Sequence, residues 1–576
     1  MIGQSSRADA DSDLSAGVIL LVGSSVVVGA AVLWIAGRLS LVIGGAGWSD
    51  APFSQSPHFL IGILSGHAAD TAWANAYPSS HSLNAPVFWS IAFAMSAFTV
   101  AVGVAACTTC RSGVTRGTPA RWATRRRERS LAVPRDPEQR PWRLVAGRSR
   151  RTHRLLAGDD CVSAVAFGPN GSGKTTSLIV PNVLDWQGPV VLTTAKPQDL
   201  EPVITARRRN GPVWVIAPGG APGHETSGWC PVTASHDDEA ADRVAEWLVD
   251  ASGMTDDPRA RPWNAQARKY LKGLLLATHL DGAEAPIERW CQWIYAGERA
   301  RDQVEDILRS NGHDETAQEY AATFTIHEEG KGSVLFTAMG LADTYSRPGI
   351  RTVTNEASGP DGFTADRLLD DGGTLCVVTP SGQGDRFAPY FTALLTAVIH
   401  AAETRAAGAG GPLTPRLLLA LDEAGNVFRY PRLPHLLTTS RGNGIQLLLI
   451  YHDLAQVEHL YGGREVARTV VSNAKLRLLL PGVGDLETLR YWTDLLGRTR
   501  TLSHSETRGA DGHRSRSRND HTDDLAPLHV LQQLPDGEAV LVYQNLPPTR
   551  VRLQPWYRTR RFRHLRSVAS PAGGMP

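Results

Sequence analysis

The stretch Gly168-Pro169-Asn170-Gly171-Ser172-Gly173-Lys174-Thr175 constrains this chain more than any other, because it fills the pattern G-x-x-x-x-G-K-[ST] completely. Such a loop needs a buried strand before it and a helix after it, and both are legible. Cys161–Phe167 is an apolar run of strand character, and Thr176-Ser-Leu-Ile-Val180 reads as the opening of a helix. The glycines let the backbone curl so that successive N–H groups face phosphate oxygens, and the helix N-terminus adds positive potential. On this reading residues Gly168 to Thr176 bind phosphate. Lys174 offsets the β- and γ-phosphate charge, and Thr175 holds Mg²⁺. A chance match in a chain with 55 glycines is the bland alternative, and the flanking strand and helix weigh against it.

A second segment strengthens the first. Arg416-Leu-Leu-Leu-Ala-Leu-Asp422-Glu423 is an apolar strand that ends in two acids. Asp422, at the carboxyl end of a buried strand, is placed to reach the Mg²⁺ shell, and Glu423 to orient or deprotonate an attacking water. Alone, the segment would read as a strand followed by a solvated acidic turn. Together with a phosphate loop it implies a nucleoside-triphosphate hydrolase using ATP and Mg²⁺.

Net charge is uninformative, with Lys+Arg 59 against Asp+Glu 57, but its distribution is not. Leu14 to Gly37 runs 24 residues without a charge, and Pro86 to Cys107 runs 22. Each is long enough for a helix across a hydrocarbon core of about 30 Å. A cleaved signal peptide is disfavoured at the first run, because its leader holds one Arg and three Asp. Arg111 to Arg154 contains 14 Arg and three acids, whereas 38–85 has a single Arg at its edge. The positive-inside rule then expects both chain ends in the cytoplasm, in a multi-pass inner-membrane protein. Cys107-Thr-Thr-Cys110 has no second pair, so a metal site is not expected there, and Cys161 and Cys376 read as core.

Strands are expected near 161–167, 189–193, 212–217, 374–379, 416–422, 445–451, 475–480 and 538–543. Most are continuous Val/Leu/Ile runs, as in a sheet buried on both faces. The fold class is therefore α/β, doubly wound and mostly parallel. Helical periodicity dominates 235–350, with Ala241, Val244, Ala245 and Leu248 on one face and Asp237-Asp238-Glu239 at its start. The expected organisation is a tail (1–13), span (14–37), outer loop (38–85), span (86–107) and basic linker (108–155). A nucleotide-binding domain follows in two parts (156–234 and 351–545), interrupted by an all-helical insertion (235–350) and followed by a basic tail (546–576). Thr499 to Asp524 reads as disordered. The tail interleaves arginines with Trp556, Tyr557 and Phe562, a composition suited to nucleic acid or anionic lipid, or simply to a solvated tail.

Two spans, a phosphate loop, a helical insertion and a late Asp-Glu pair resemble the type IV coupling proteins of conjugation and type IV secretion, the TraG/TraD-like group. The resemblance extends from about residue 15 to 545. Its most specific part is Leu421-Asp422-Glu423-Ala424, then Thr439-Ser440-Arg441-Gly442-Asn443-Gly444-Ile445, then Asp453-Leu454-Ala455-Gln456 and Tyr461-Gly462; Val471-Ser-Asn473-Ala474 and Asp485-Leu-Glu487-Thr488 continue it. The resemblance implies a RecA-like P-loop NTPase domain carried by a two-helix anchor and assembled as a homo-oligomeric ring of six. It implies Arg441 as a finger acting on a neighbouring subunit from a loop. Its implied partners are single-stranded DNA with bound relaxase and the type IV secretion channel. Two departures stand out. His452 occupies the place of a usual Gln, with an imidazole at the γ-phosphate end, and Thr193-Thr194-Ala195-Lys196-Pro197 lacks a common acid before its lysine.

Other functions fit parts of the pattern. An FtsK-like double-stranded DNA pump usually carries a C-terminal winged helix, and about thirty residues follow the last expected strand here. A pump for proteins alone is separable by neighbouring relaxase genes. A nucleotide-gated scaffold without motor activity needs neither Glu423 nor Arg441.

Overall fold

The computed structural model describes residues 27–113, 119–197, 200–253, 261–358, 362–379, 384–508 and 514–566. Two units result, Met1–Thr118 and Pro119–Pro576. The first is helical where described: 27–43, Ser56–Leu64, Ala69–Ala76 and Ala85–Gly113. Its core is aromatic, with Phe59 edge-on to Trp73 (5.1 Å) and to Phe88 (5.7 Å). Half of the first expected span, 14–26, lies outside the described residues, as do the side chains of 101–107 in the second. Among the described residues no helix is long and apolar enough to cross a membrane.

The second unit is built on a twelve-stranded sheet. In chain order its strands are β1 (Ala132–Val133), β2 (Val145–Ser149), β3 (Leu155–Ala157), β4 (Ala164–Phe167), β5 (Val190–Thr194), β6 (Val213–Ile216), β7 (Thr374–Val378), β8 (Leu417–Leu421), β9 (Ile445–Tyr451) and β10 (Leu476–Leu479). A separate hairpin of β11 (Arg498–Arg508) and β12 (Arg514–Asp524) comes next, and then β13 (Glu538–Tyr543) and β14 (Thr549–Arg552) return to the large sheet. The spatial order is β1-β3-β2-β14-β13-β10-β4-β9-β8-β5-β7-β6. From β10 to β6 every pairing is parallel, and from β10 through β13 to β1 every pairing is antiparallel.

All eight expected strands are present, and strand alternation explains their unbroken apolar runs. In β9, Ile445, Leu447, Leu449 and Tyr451 enter one core while Leu448 and Ile450 enter the other. Helices cover both faces. Between β6 and β7 the described chain is helical, from Asp238–Ala251 to Pro348–Asn355. The Asp237 carboxylate caps the first of these helices by accepting from Ala240 N, and Ala241, Val244, Ala245 and Leu248 are buried on one face.

Three sequence expectations are corrected. The basic linker contributes β1, β2 and the first residue of β3, so the sheet begins well before residue 156. The stretch 499–524, expected to be disordered, pairs as β11 with β12 from Arg498↔Asp524 to Arg508↔Arg514; backbone pairing needs no apolar side chains. The basic tail supplies β14 and two short 3₁₀ turns, and Trp556, Phe562 and Leu565 are buried in the core. Trp556 and Phe562 are therefore not available to stack on bases, because burying their rings outweighs what stacking at a surface offers. Positions 567–576 of that tail lie outside the described residues.

Candidate nucleotide site

Strand order brings the site together. β9 lies between the phosphate-loop strand β4 and the acid-bearing strand β8, and all three run the same way. Gly168, His452 and Asp422, each directly following one of these strands, therefore emerge side by side at the carboxyl edge of the sheet. This is the crevice where open α/β sheets bind ligands.

The loop has the backbone its glycines permit. Gly171 and Gly173 adopt φ +85° and +82°, which side-chain-bearing residues rarely do. Gly168 is required for space, since a Cβ there would stand 2.6 Å from Ser172 Oγ and 2.9 Å from Leu480 Cβ. The Thr175 hydroxyl donates to the Asp422 carboxylate. Asp422 Oδ1, Lys174 Nζ and Ser172 Oγ are buried without a hydrogen-bond partner. Lys174 Nζ lies 3.6 Å from Glu423 Oε1. An ammonium, a carboxylate oxygen and a hydroxyl without hydrogen-bond partners, gathered beside the Thr175 hydroxyl, are the groups that a Mg²⁺-bound triphosphate would satisfy. The residues present thus fit both ATP and Mg²⁺.

Electrostatics agree with that reading. Burial raises the Asp422 carboxyl above its ordinary range, opposed by the Thr175 hydrogen bond and the Lys174 charge. His452 is half-buried, and burial together with Lys174 holds its imidazole below the usual value, so it stays neutral at neutral pH. Glu423 sits in the left-handed region at φ 53°, ψ 48°, a conformation that costs a non-glycine residue on the order of 1 kcal/mol or more and turns the chain sharply after β8.

Several residues of the long motif run are positioning groups. The His452 N–H donates to Gln456 Oε1 at 2.9 Å, and a Cβ on Gly425 would collide with that same amide at 2.6 Å. Asp485 caps Leu486–Leu496 through Thr488 N, and the Thr488 hydroxyl accepts from Leu454 N at 2.8 Å. The helix after His452 is thus pinned at its first turn. The sequence marked Thr193 and Lys196 only as part of a departure and gave them no role; the Thr193 hydroxyl donates to the Asp422 carbonyl at 2.9 Å, and the Lys196 charge lowers the Asp422 pKa. The signal was the TTAK run that ends β5, legible only once β5 is known to pair with β8.

Arg441 lies elsewhere. It is exposed in the last turn of the helix Leu433–Asn443, not in the loop expected for it; Gly444, at φ 75°, ends that helix. β9 starts at the next residue, so Arg441 stands at the amino edge of the sheet. Seven residues at about 3.3 Å each put roughly 20 Å between that edge and the phosphate loop. Arg441 cannot serve its own subunit's nucleotide site.

Against known proteins, residues 132–571 match the family described as Type IV secretory system Conjugative DNA transfer. The chain belongs to that family. Among curated relatives, conjugal transfer protein TraG of Agrobacterium fabrum is 23% identical over 410 residues, covering 68% of this chain and 60% of the relative. An Escherichia coli conjugal transfer protein TraG is 24% identical over 378 residues, covering 60% of this chain and 56% of its own length. The chain thus matches about three-fifths of these relatives' length. The unbound bacterial conjugative coupling protein TrwB, lacking its first 70 residues, superposes with TM-score 0.55 at 17% identity, over 76% of this chain and 95% of that one. TrwB in complex with ADP and Mg²⁺ gives 0.53 at 18% identity, over 76% and 96%. The shared fold is the α/β RecA-like NTPase fold.

Proposed function

We propose that this protein is a membrane-anchored coupling ATPase that delivers a DNA–relaxase or protein substrate to a type IV secretion channel, driven by ATP hydrolysis in a homo-oligomeric, six-membered ring. The observation that carries the catalytic part is the meeting of Thr175, Asp422, Lys174 and Glu423 at one sheet edge from segments nearly 250 residues apart. Family membership supports the conjugative part, and TrwB was crystallised with ADP and Mg²⁺ and with ATP and GTP analogues.

Each residue then has a task. The N–H groups of the loop and Lys174 Nζ bind the phosphates, and Thr175 and Asp422 hold the metal. Mg²⁺ neutralises phosphate charge and fixes the terminal groups when bound. Glu423 takes a proton from the attacking water, its carboxylate aimed back at the loop by the turn at its own backbone. Neutral His452 donates or accepts one hydrogen bond beside it. Arg441 completes the site of the next subunit, which its distance from its own supports. The charge-free runs and the arginine excess after them support a cytoplasmic ATPase behind a two-helix anchor. A reporter fused near Ser65 is then external and one near Gly158 cytoplasmic.

The test is Glu423→Gln in the full chain. Nucleotide binding persists while turnover falls by about 10²–10⁴-fold, the usual contribution of a general base. Undiminished turnover removes Glu423 from catalysis.

A further inference from the structure

A second cavity of about 800 Å³ lies along the helix that follows the phosphate loop. Ser177, Pro181 and Asp185 of that helix form one wall, and β2, β3 and the segment after β14 form the others. Ser177 N donates to Gly173 O at 2.8 Å, so the cavity starts one turn behind the loop and ends where the helix ends.

Its charge is unbalanced. Seven arginines line it, among them Arg140, Arg148, Arg558 and Arg561, and Asp185 is the single acid in the lining. Asp185 is shared by Arg140 and Arg561. Burial, assisted in Arg561 by repulsion from Arg140, pushes both guanidinium groups down to about 10. Asp136 only partly offsets this. Arg140 is 5% exposed and its Nε has no partner. A buried guanidinium N–H without an acceptor, in a wall of like charges, is a donor set lacking its anion.

The remainder of the lining mixes apolar side chains (Val145, Leu155, Pro181) with hydrogen-bonding ones (Asn182, Gln554, Thr559). Arginines together with apolar and hydrogen-bonding side chains suit a ligand that carries phosphates and a ring system. The volume falls in the range of about 300–1,000 Å³ typical of small-ligand pockets. We infer that this cavity is a second anion site, distinct from the phosphate loop, for a phosphorylated small molecule of nucleotide size. From the C-terminal segment, Arg558, Arg561 and Phe562 contribute to the lining.

ADP is the probe, with the full chain in detergent and equilibrium dialysis as the readout. Lys174→Ala empties the phosphate loop. The wild type is expected to bind two ADP per chain and Lys174→Ala one. Adding Arg148→Ala and Arg558→Ala, which leave the Asp185 pairing intact, weakens the remaining site at least tenfold, and circular dichroism verifies that the variants fold. In an otherwise wild-type chain those two replacements reduce the count to one while Glu423-dependent hydrolysis continues. If Lys174→Ala binds no ADP, the cavity is no separate site, and the hydrolytic reading is untouched. A residual site indifferent to the arginine replacements also overturns the assignment. So does a single-stranded oligonucleotide that outcompetes ADP at equal phosphate concentration.

Discussion

The two halves of the large sheet obey different rules. The parallel half is buried on both faces, and every residue of β4, β5, β7, β8 and β9 is in a core. The antiparallel half is covered less evenly: β13 is buried throughout, but β2 is only half-buried at Val145, Gly147 and Arg148, and β14 leaves Arg552 exposed. A strand covered twice must be apolar throughout, whereas a strand covered once needs an apolar residue only at alternate positions. The first kind carries the chemistry at its carboxyl edge. The second kind borders the arginine-lined cavity. The nucleotide site thus lies in one half, and the arginine-lined surface borders the other.

The largest expected effect separates the two edges of the parallel half. Arg441 is at the amino edge and its own phosphate loop at the carboxyl edge, so Arg441→Ala leaves ATP binding nearly normal and lowers hydrolysis by about 10³–10⁵-fold, the range for arginine fingers. Steady-state turnover and nucleotide binding measured on one preparation check this. Mixing Arg441→Ala with Glu423→Gln protein restores part of the activity, because one interface type in the mixed ring has both groups. A mixture that assembles and stays inactive removes Arg441 from the neighbour's site.

A smaller effect compares the halves on stability. Leu447→Ala in β9 removes a wholly buried side chain and costs about 2–5 kcal/mol by denaturant unfolding. Val145→Ala in β2 removes two half-buried methyl groups and costs about 1 kcal/mol or less. Equal losses would show that the antiparallel half is as tightly packed as the parallel one, against the burial pattern.

The smallest effect concerns Asp422. Its carboxyl is raised by burial in the folded protein, so without nucleotide the folded state favours the protonated form. The cost of ionisation is present above the folded pKa and is relieved as pH falls through it. Asp422→Asn should therefore raise the Tm of the nucleotide-free protein at pH 7, and the gain should vanish on acidification while Mg²⁺-dependent hydrolysis is lost throughout. A lower Tm at pH 7 would mean that Thr175 and Lys174 outweigh burial.

The sequence by itself determined the site's members. A complete phosphate-loop pattern and an apolar strand ending in Asp422-Glu423 are local signals, since backbone curvature and strand burial depend on residues next to one another. The eight core strands were legible for the same reason. What only the tertiary structure decided is non-local. The strands β1 and β3 are only two and three residues long, β2 and β14 carry arginines, and all four exist because a neighbouring strand offers hydrogen bonds. The hairpin at 498–524 lacks an apolar pattern and was invisible on composition. Arg441 is in a helix because the chain ahead of β9 packs as one, although its Gly-Asn-Gly context favours a loop. The convergence of seven arginines around Asp185 joins residues 135–148 to 552–561, and no spacing rule reports it. Local chemistry is written along the chain, but pairing partners and long-range charge are set only when distant segments share one sheet.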